Sequence, residues 1–189
     1  PRQFTHRVTG VMQKYFPDLE PRAVAAAVKE AYLAYGRYLA DVRIKGAEFR
    51  AIAKQTGKPV VVLAGRPYHV DPEISHGIDT LLCNLGAVVL TEDSLSNLTE
   101  PFPTGVRNQW TYHARLYAAA RVIASLPPED RTYLVQLVSF GCGVDAVTTD
   151  EVRAILENAG RVYTQIKIDE ISNMGAVTIR LRSLFAMMK

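Results

Sequence analysis

The segment Lys58–Ala64, KPVVVLA, restricts the fold of this chain more than any other. It is a continuous apolar, β-branched run without polar alternation. A strand with one face in water would alternate, so this run fits a strand covered on both faces of a parallel sheet. Parallel neighbours need crossovers of about a dozen residues or more, and the sequence that follows supplies them. Gly65–Val70 reads as a loop. Asp71 is placed to cap a helix with Pro72 at N1 and Glu73 at N2, and Gly86 is placed to end that helix. Ala87–Leu90 is a second strand. Residues 91–106 form a polar loop with Pro101, Pro103 and Gly105. A helix follows from about Arg107 to Ser125, with Trp110, Ala114, Tyr117 and Val122 on its inner face, and Pro127-Pro128 stop it. Tyr133–Val138 is a third strand, followed by a glycine-rich loop, Ser139–Asp145. Thr148-x-x-Glu151 has the spacing of a capping box for a helix ending near Gly160. Val162–Ile168 is a fourth strand, and the last helix spans Asn173–Lys189. The expected class is α/β: a doubly wound sheet of about four parallel strands with right-handed crossovers.

Ahead of this register the pattern changes. Residues 1–20 read as a short helix and turn. Residues 21–55 read as one long helix or two joined ones, with Val24, Ala27, Val28, Ala31, Tyr35, Leu39 and Val42 at helical spacing and Gly46 as a candidate break. Residues 1–55 are therefore expected to be a helical extension or linker, and residues 56–189 the α/β domain. The start, PRQFTHRVTG, has no initiator Met and no apolar core of a signal peptide. It reads as a processed product or, by preference, an excised piece of a larger multidomain protein. Lys and Arg number 22 against 19 Asp and Glu, a net charge of +3. That excess, without a basic run, points to neither nucleic acid nor membrane as a partner. No apolar stretch approaches the roughly 18 residues of a membrane span. The two cysteines, Cys83 and Cys142, make no disulfide framework and suit a reducing, cytoplasmic setting.

The unusual polar residues fall in four strand-to-helix loops, which open on one edge of a doubly wound sheet. They are Gly65–Asp71, Thr91–Asp93, Ser139–Asp145 and Asp169–Asn173. Cys142 lies between two glycines and shortly before a helix N-terminus, whose dipole favours a thiolate. It is a candidate metal or cluster ligand or nucleophile, or else a small packed thiol. Cys83 lies seven residues beyond His76 on what reads as the same helix, ~10 Å along its axis, and is expected to be a buried structural thiol. His69 is a candidate ligand contact, and His76 could as easily cover the sheet. Arg66 could grip a carboxylate or phosphate with two prongs, or pair with Asp71, Glu92 or Asp93. Asp169 and Glu170 could ligate a metal or water, or cap a helix and pair with Arg66 or Lys167. Arg180 either lies on a solvated face or folds back onto these acids. No GxGxxG follows the first strand and no GxxxxGK[ST] occurs, so neither phosphate-binding fingerprint is present.

Three segments, VLAGRPYHVDPEISHGID (62–79), LVSFGCGVDAVTTDEV (137–152) and YTQIKIDEISNMGAVTIRLRSL (163–184), resemble the central domain of the acyl-CoA dehydratase activase-related family, the CoA-substrate-specific enzyme activases. The resemblance covers most of residues 55–189, and the helical start carries it less distinctively. In that family, ATPase modules of the acetate/sugar kinase–actin type precede this domain. The activases carry a 4Fe–4S cluster and use ATP to drive a low-potential electron in anaerobic metabolism. The domain is similar to subunits of 2-hydroxyacyl-CoA dehydratases and benzoyl-CoA reductases, which bind iron–sulfur clusters through cysteines in flavodoxin-like lobes.

The resemblance thus implies a flavodoxin-like or Rossmann-like fold, with Cys142 of SFGCG as the cluster ligand. It implies site walls from Arg66, Tyr68, His69 and Asp71, from Gly141 and Gly143, and from Asp169, Glu170 and Asn173. One well-placed cysteine falls short of the four thiolates such a cluster takes. The expectation is therefore a 4Fe–4S cluster shared with another domain or subunit, none being self-contained. Implied partners are the ATPase modules of the parent or dehydratase-like subunits, with a CoA thioester as ligand, and the isolated domain would be catalytically silent. Two rival readings stand beside this one. One is a metal-free module that binds a small anion or the CoA phosphates through Arg66, His69 and backbone amides. The other is a structural docking domain without chemistry of its own.

Overall fold

A computed structural model of the chain describes residues 2–139, 141–168 and 174–188. The chain divides into two compact units, Pro1–Val42 and Arg43–Lys189. In the first, helix α1 (Arg2–Tyr15) is followed by the start of helix α2 (Pro21–Thr56). Val24 and Val28 are the buried apolar residues of this unit, and Phe4 meets Tyr32 edge-on at 6.1 Å between ring centroids. Tyr35 and Tyr38 stack on each other and remain exposed.

α2 is a single helix: Gly46 does not break it. Gly46 instead allows close packing, because a Cβ built there would fall 2.6 Å from Ser94 Cβ.

The second unit is an α/β sandwich. Strands β1 (Val60–Ala64), β2 (Val88–Thr91), β3 (Thr132–Val138) and β4 (Tyr163–Lys167) form one parallel sheet in the order β2-β1-β3-β4. Every residue of β1 is buried, as its unbroken apolar run requires. Val60, Val62 and Ala64 face one side, where they meet helices α5 (Thr111–Ser125) and α6 (Gly143–Glu157) through Leu116, Tyr117, Val152 and Leu156. Val61 and Leu63 face the other, packing with Ile78 and Leu82 and with Leu181 and Leu184 of α7 (Met174–Met187). From β1 the chain goes outward to β2 and then returns to place β3 on the other side of β1. The topological switch point therefore lies between β1 and β3, where open α/β sheets bind ligands.

Three expected elements are corrected. The helix after β1 is broken. A 3-10 turn, Pro67–Val70, leads to α3 (Pro72–Ser75), and α4 (Ile78–Asn84) follows only after His76 and Gly77, with φ of 53° and 71°. Two consecutive left-handed residues end the α-helical hydrogen-bond ladder, so His76 and Cys83 do not share a helix. The Cys83 thiol is exposed rather than buried. Thr148 opens no helix: α6 begins five residues earlier, and the buried Thr148 hydroxyl donates to Asp145 O at 3.1 Å from within it. The helix expected from Arg107 begins at Thr111, and Trp110 at its N-cap is exposed, so it is not on the inner face. Tyr117 and Val122 do line that face, with His113, Leu116, Ala120 and Ile123 beside them.

Candidate functional site

The two loops at the switch point are tied by one ion pair. Arg66 leaves the end of β1, and Asp145 lies in the first turn of α6, just past β3. Arg66 Nε donates to Asp145 Oδ1 at 3.0 Å and Nη2 to Oδ2 at 2.5 Å, a two-pronged geometry. The same Oδ2 accepts the Ser139 backbone N–H at 2.7 Å. The Asp145 hydrogen bond raises the Arg66 pKa well above its already high ordinary value, so the guanidinium stays charged. Of the pairings expected for Arg66, none with Asp71, Glu92 or Asp93 forms among the described residues. Glu92 pairs with Arg115 at 3.3 Å.

His69 forms a second tie. It is 1% exposed. Its Nδ1 accepts the Arg66 backbone N–H at 3.1 Å, which in the neutral ring leaves the proton on Nε2, 3.3 Å from Ser139 Oγ. This explains the glycine at 65. A Cβ there would lie 2.5 Å from His69 Nδ1, so only glycine lets the ring fold back over the strand end. Tyr68, 45% exposed, meets His69 edge-on at 4.6 Å, and Arg66 lies over its face at 5.4 Å.

Cys142 is the N-cap residue of α6, half-buried, with Gly141 at φ 73° before it and Gly143 as the first helical residue. It opens into a cleft of about 450 Å³ lined by Ser139, Asp145, Thr149, Gln165 and Lys167. Arg66, Tyr68, His69, Gly141, Cys142 and Gly143 thus gather on the two switch-point loops. Among the described residues, Asp71 does not join them by hydrogen bonding. Its carboxylate caps α3, accepting the Glu73 N–H at 2.9 Å. Asp169, Glu170 and Asn173 lie outside the described residues. Arg180 is exposed and lines a groove along β4.

The edge also gathers residues from the start of α5, which sequence reasoning did not single out as a site. Tyr112 lies within electrostatic reach of Arg66, Asp145, Cys142 and Tyr68. The His113 ring sits 4.3 Å from Tyr112 and 4.8 Å from Trp110. Burial pushes the His113 pKa below its ordinary value, with Asp145 opposing and Arg66 adding to the push. The available signal was the WTYH run at 110–113, two aromatic side chains and an imidazole in four residues.

The donor set for an iron–sulfur cluster is incomplete here. Cys142 lies at the carboxyl edge of the sheet. Cys83 lies near the end of α4, which leads through Gly86 and Ala87 into the start of β2 and so to the opposite edge. No group of three or more His, Cys, Asp or Glu among the described residues is placed to hold a metal ion. The residues present do not fit a self-contained 4Fe–4S cluster, which takes four thiolates.

A family model described as the CoA enzyme activase uncharacterised domain matches residues 1–95. The chain belongs to this CoA enzyme activase domain family. The match takes in the helical start, which looked less distinctive than the loops, and runs through β1, the Arg66–His69 turn and β2. It ends before α5, Cys142 and Asp145. No curated protein matches the chain, and no solved structure does. Among the described residues, no helix of this activase domain is long and apolar enough to cross a membrane.

Proposed function

We propose that this chain is an accessory domain of an ATP-dependent CoA enzyme activase and helps pass low-potential electrons toward CoA-thioester enzymes. It is cytoplasmic in this reading and turns its switch-point edge toward a partner domain or subunit. One observation carries the reading: Cys142 is held half-exposed at the mouth of a cleft, between loops that Arg66–Asp145 and His69–Ser139 pin together. A thiol that only filled space would not require its surroundings to be fixed by a charged pair.

Cys142 is the residue offered to the partner. Any 4Fe–4S cluster at this edge would take its remaining ligands from that partner. The chain's own residues perform the positioning. Asp145 fixes the first turn of α6, the Ser139 N–H anchors the end of β3, and His69 closes the loop from β1.

The test uses the full-length parent with its CoA-thioester enzyme under anaerobic conditions. Cys142→Ser is expected to lower activation and iron and sulfide content while ATP hydrolysis continues. Unchanged iron, sulfide and activation in a folded Cys142→Ser protein would remove Cys142 from the function.

A further inference from the structure

Strand β4 is a lateral border of the sheet: in the order β2-β1-β3-β4 it pairs with β3 alone. Ile168 N donates to Val138 O at 3.0 Å. Along a parallel strand, successive residues turn their peptide groups alternately toward one side and the other. Thr164 and Ile166, in phase with Ile168, therefore bond to β3, whereas Tyr163 and Gln165 turn their backbone groups away from the sheet. Among the described residues no strand meets them there. A row of such groups is a template for a further strand.

The flanking helices leave this border open. α6 covers one face of the sheet and α7 the other. Between them runs a groove of about 700 Å³ whose floor is β4 itself. Its lining is basic: Arg153 from α6, Arg180 from α7 and Lys167 outnumber the acidic Glu157. Arg180 is exposed and makes no ion pair among the described residues. Arg153 reaches Asp150 only at 3.8 Å, with both side chains exposed, an arrangement that holds it weakly. Its guanidinium lies 5.1 Å over the Tyr163 ring, at the strand itself. Val162 and Met187, 37% and 59% exposed, add apolar surface to the groove.

We propose that the β4 border docks an extended, acidic segment of a partner subunit, which joins the sheet as a further strand. Its backbone pairs with the outward peptide groups of Tyr163 and Gln165, and its side chains supply the selectivity. Successive strand residues point to opposite faces, and Arg153 and Arg180 stand on opposite faces. Two adjacent acidic residues in the segment thus reach one arginine each, and an apolar neighbour meets Val162 and Met187. This surface uses neither Cys142 nor the Arg66–Asp145 pair, so it stands or falls apart from the electron-transfer reading.

The ¹⁵N-labelled 189-residue chain is titrated with the capped peptide Thr-Val-Glu-Glu-Val-Thr and with its Lys-Lys counterpart. The Glu-Glu peptide is expected to shift the Gln165 amide signal saturably and to slow its hydrogen exchange. The Ile166 amide, already bonded to β3, keeps its exchange rate, and the Lys-Lys peptide has neither effect. Arg153→Glu combined with Arg180→Glu weakens the Glu-Glu peptide by about tenfold or more and lets the Lys-Lys peptide bind, because like charges are then opposed. Gln165→Pro removes the outward N–H but spares the ladder to β3, as proline on an edge strand does, and it abolishes binding. If Gln165→Pro does not fold, the charge reversal decides alone. Equal binding of the two peptides, or binding of neither, overturns the proposal, as does undiminished binding to folded Gln165→Pro. Two other results overturn it by naming a different occupant. Protection of Gln165 that grows with protein concentration, without peptide, assigns the border to a second copy of the chain. Protection of residues 163–167 in the full-length parent alone, read by hydrogen-exchange mass spectrometry, assigns it to the parent's own chain.

Discussion

Arg66 and Asp145, 79 positions apart in the chain, meet in a two-pronged ion pair that closes the switch point between β1 and β3. The side chains are 18% and 8% exposed, so breaking the pair strands a largely buried charge. Removing one member of such a pair costs about 3–5 kcal/mol. Asp145→Ala and Arg66→Ala are each expected to destabilise the chain by that order in urea unfolding. The double variant should lose clearly less than the sum, because neither orphaned charge remains. Arg66→Lys should recover little, since an ammonium cannot reproduce both prongs. Additive losses would show that the two side chains act separately.

Gly65 and His69 give a second, steric prediction. Gly65→Ala places a methyl group where His69 Nδ1 stands, at 2.5 Å. Displacing the ring breaks its bonds to Arg66 N and Ser139 Oγ, so a loss of about 1–3 kcal/mol is expected. His69→Ala removes the obstacle along with those bonds. Adding Gly65→Ala to His69→Ala should then cost almost nothing further. A chemical denaturation cycle over the four proteins measures this coupling.

The sheet was legible because buried parallel strands need apolar runs, and VVVLA and YLVQLV, the latter broken only by Gln136, are such runs. What escaped was set by contacts distant in sequence. Arg66 was weighed against Asp71, Glu92 and Asp93, yet its partner stands on a helix beyond β3. That pairing follows only once β3 is known to lie beside β1. The start of α6 was hidden because Gly141 and Gly143 have low helix propensity. Asp145, held by Arg66 and the Ser139 N–H, ties down the first helical turn regardless. The break at His76 and Gly77 was hidden for the opposite reason. PEIS and IDTLLCN are each helix-compatible, and an isolated glycine in such a pattern is usually tolerated. Missing that break also misplaced Cys83, because the kink resets which face of α4 meets the sheet.

Glu92 should make stability depend on pH near neutrality. It is 4% exposed. Burial raises its pKa from 4.5 to about 7, with Arg115 opposing and Asp93 adding to the rise. The folded chain therefore holds this proton more tightly than the unfolded chain. The resulting stabilisation is complete below about pH 4.5 and is lost as pH rises through about 7. The shift corresponds to a difference on the order of 3 kcal/mol at most. Glu92→Gln is permanently neutral and keeps an oxygen for Arg115. It should melt above the parent protein at pH 8, with the gap closing toward pH 5. A gap independent of pH, followed by thermal melts across this range, would show that the carboxylate does not titrate there.

The two thiols should differ in access and in consequence. Cys83 is exposed on a short helix, and Cys142 is half-buried at the N-cap of α6. In the folded chain, iodoacetamide should label Cys83 first, followed by mass spectrometry, with Cys142 trailing. Cys83→Ser should change stability by no more than about 0.5 kcal/mol, as surface substitutions do. Labelling of Cys142 should then be sensitive to the ion pair. Asp145→Ala frees the Ser139 N–H and the first turn of α6, so the Cys142 rate should rise toward that of an unfolded thiol, whereas Cys83 should keep its rate. An equal increase at both cysteines would indicate general unfolding. An unchanged Cys142 rate would mean that the Arg66–Asp145 pair does not govern how this thiol is presented.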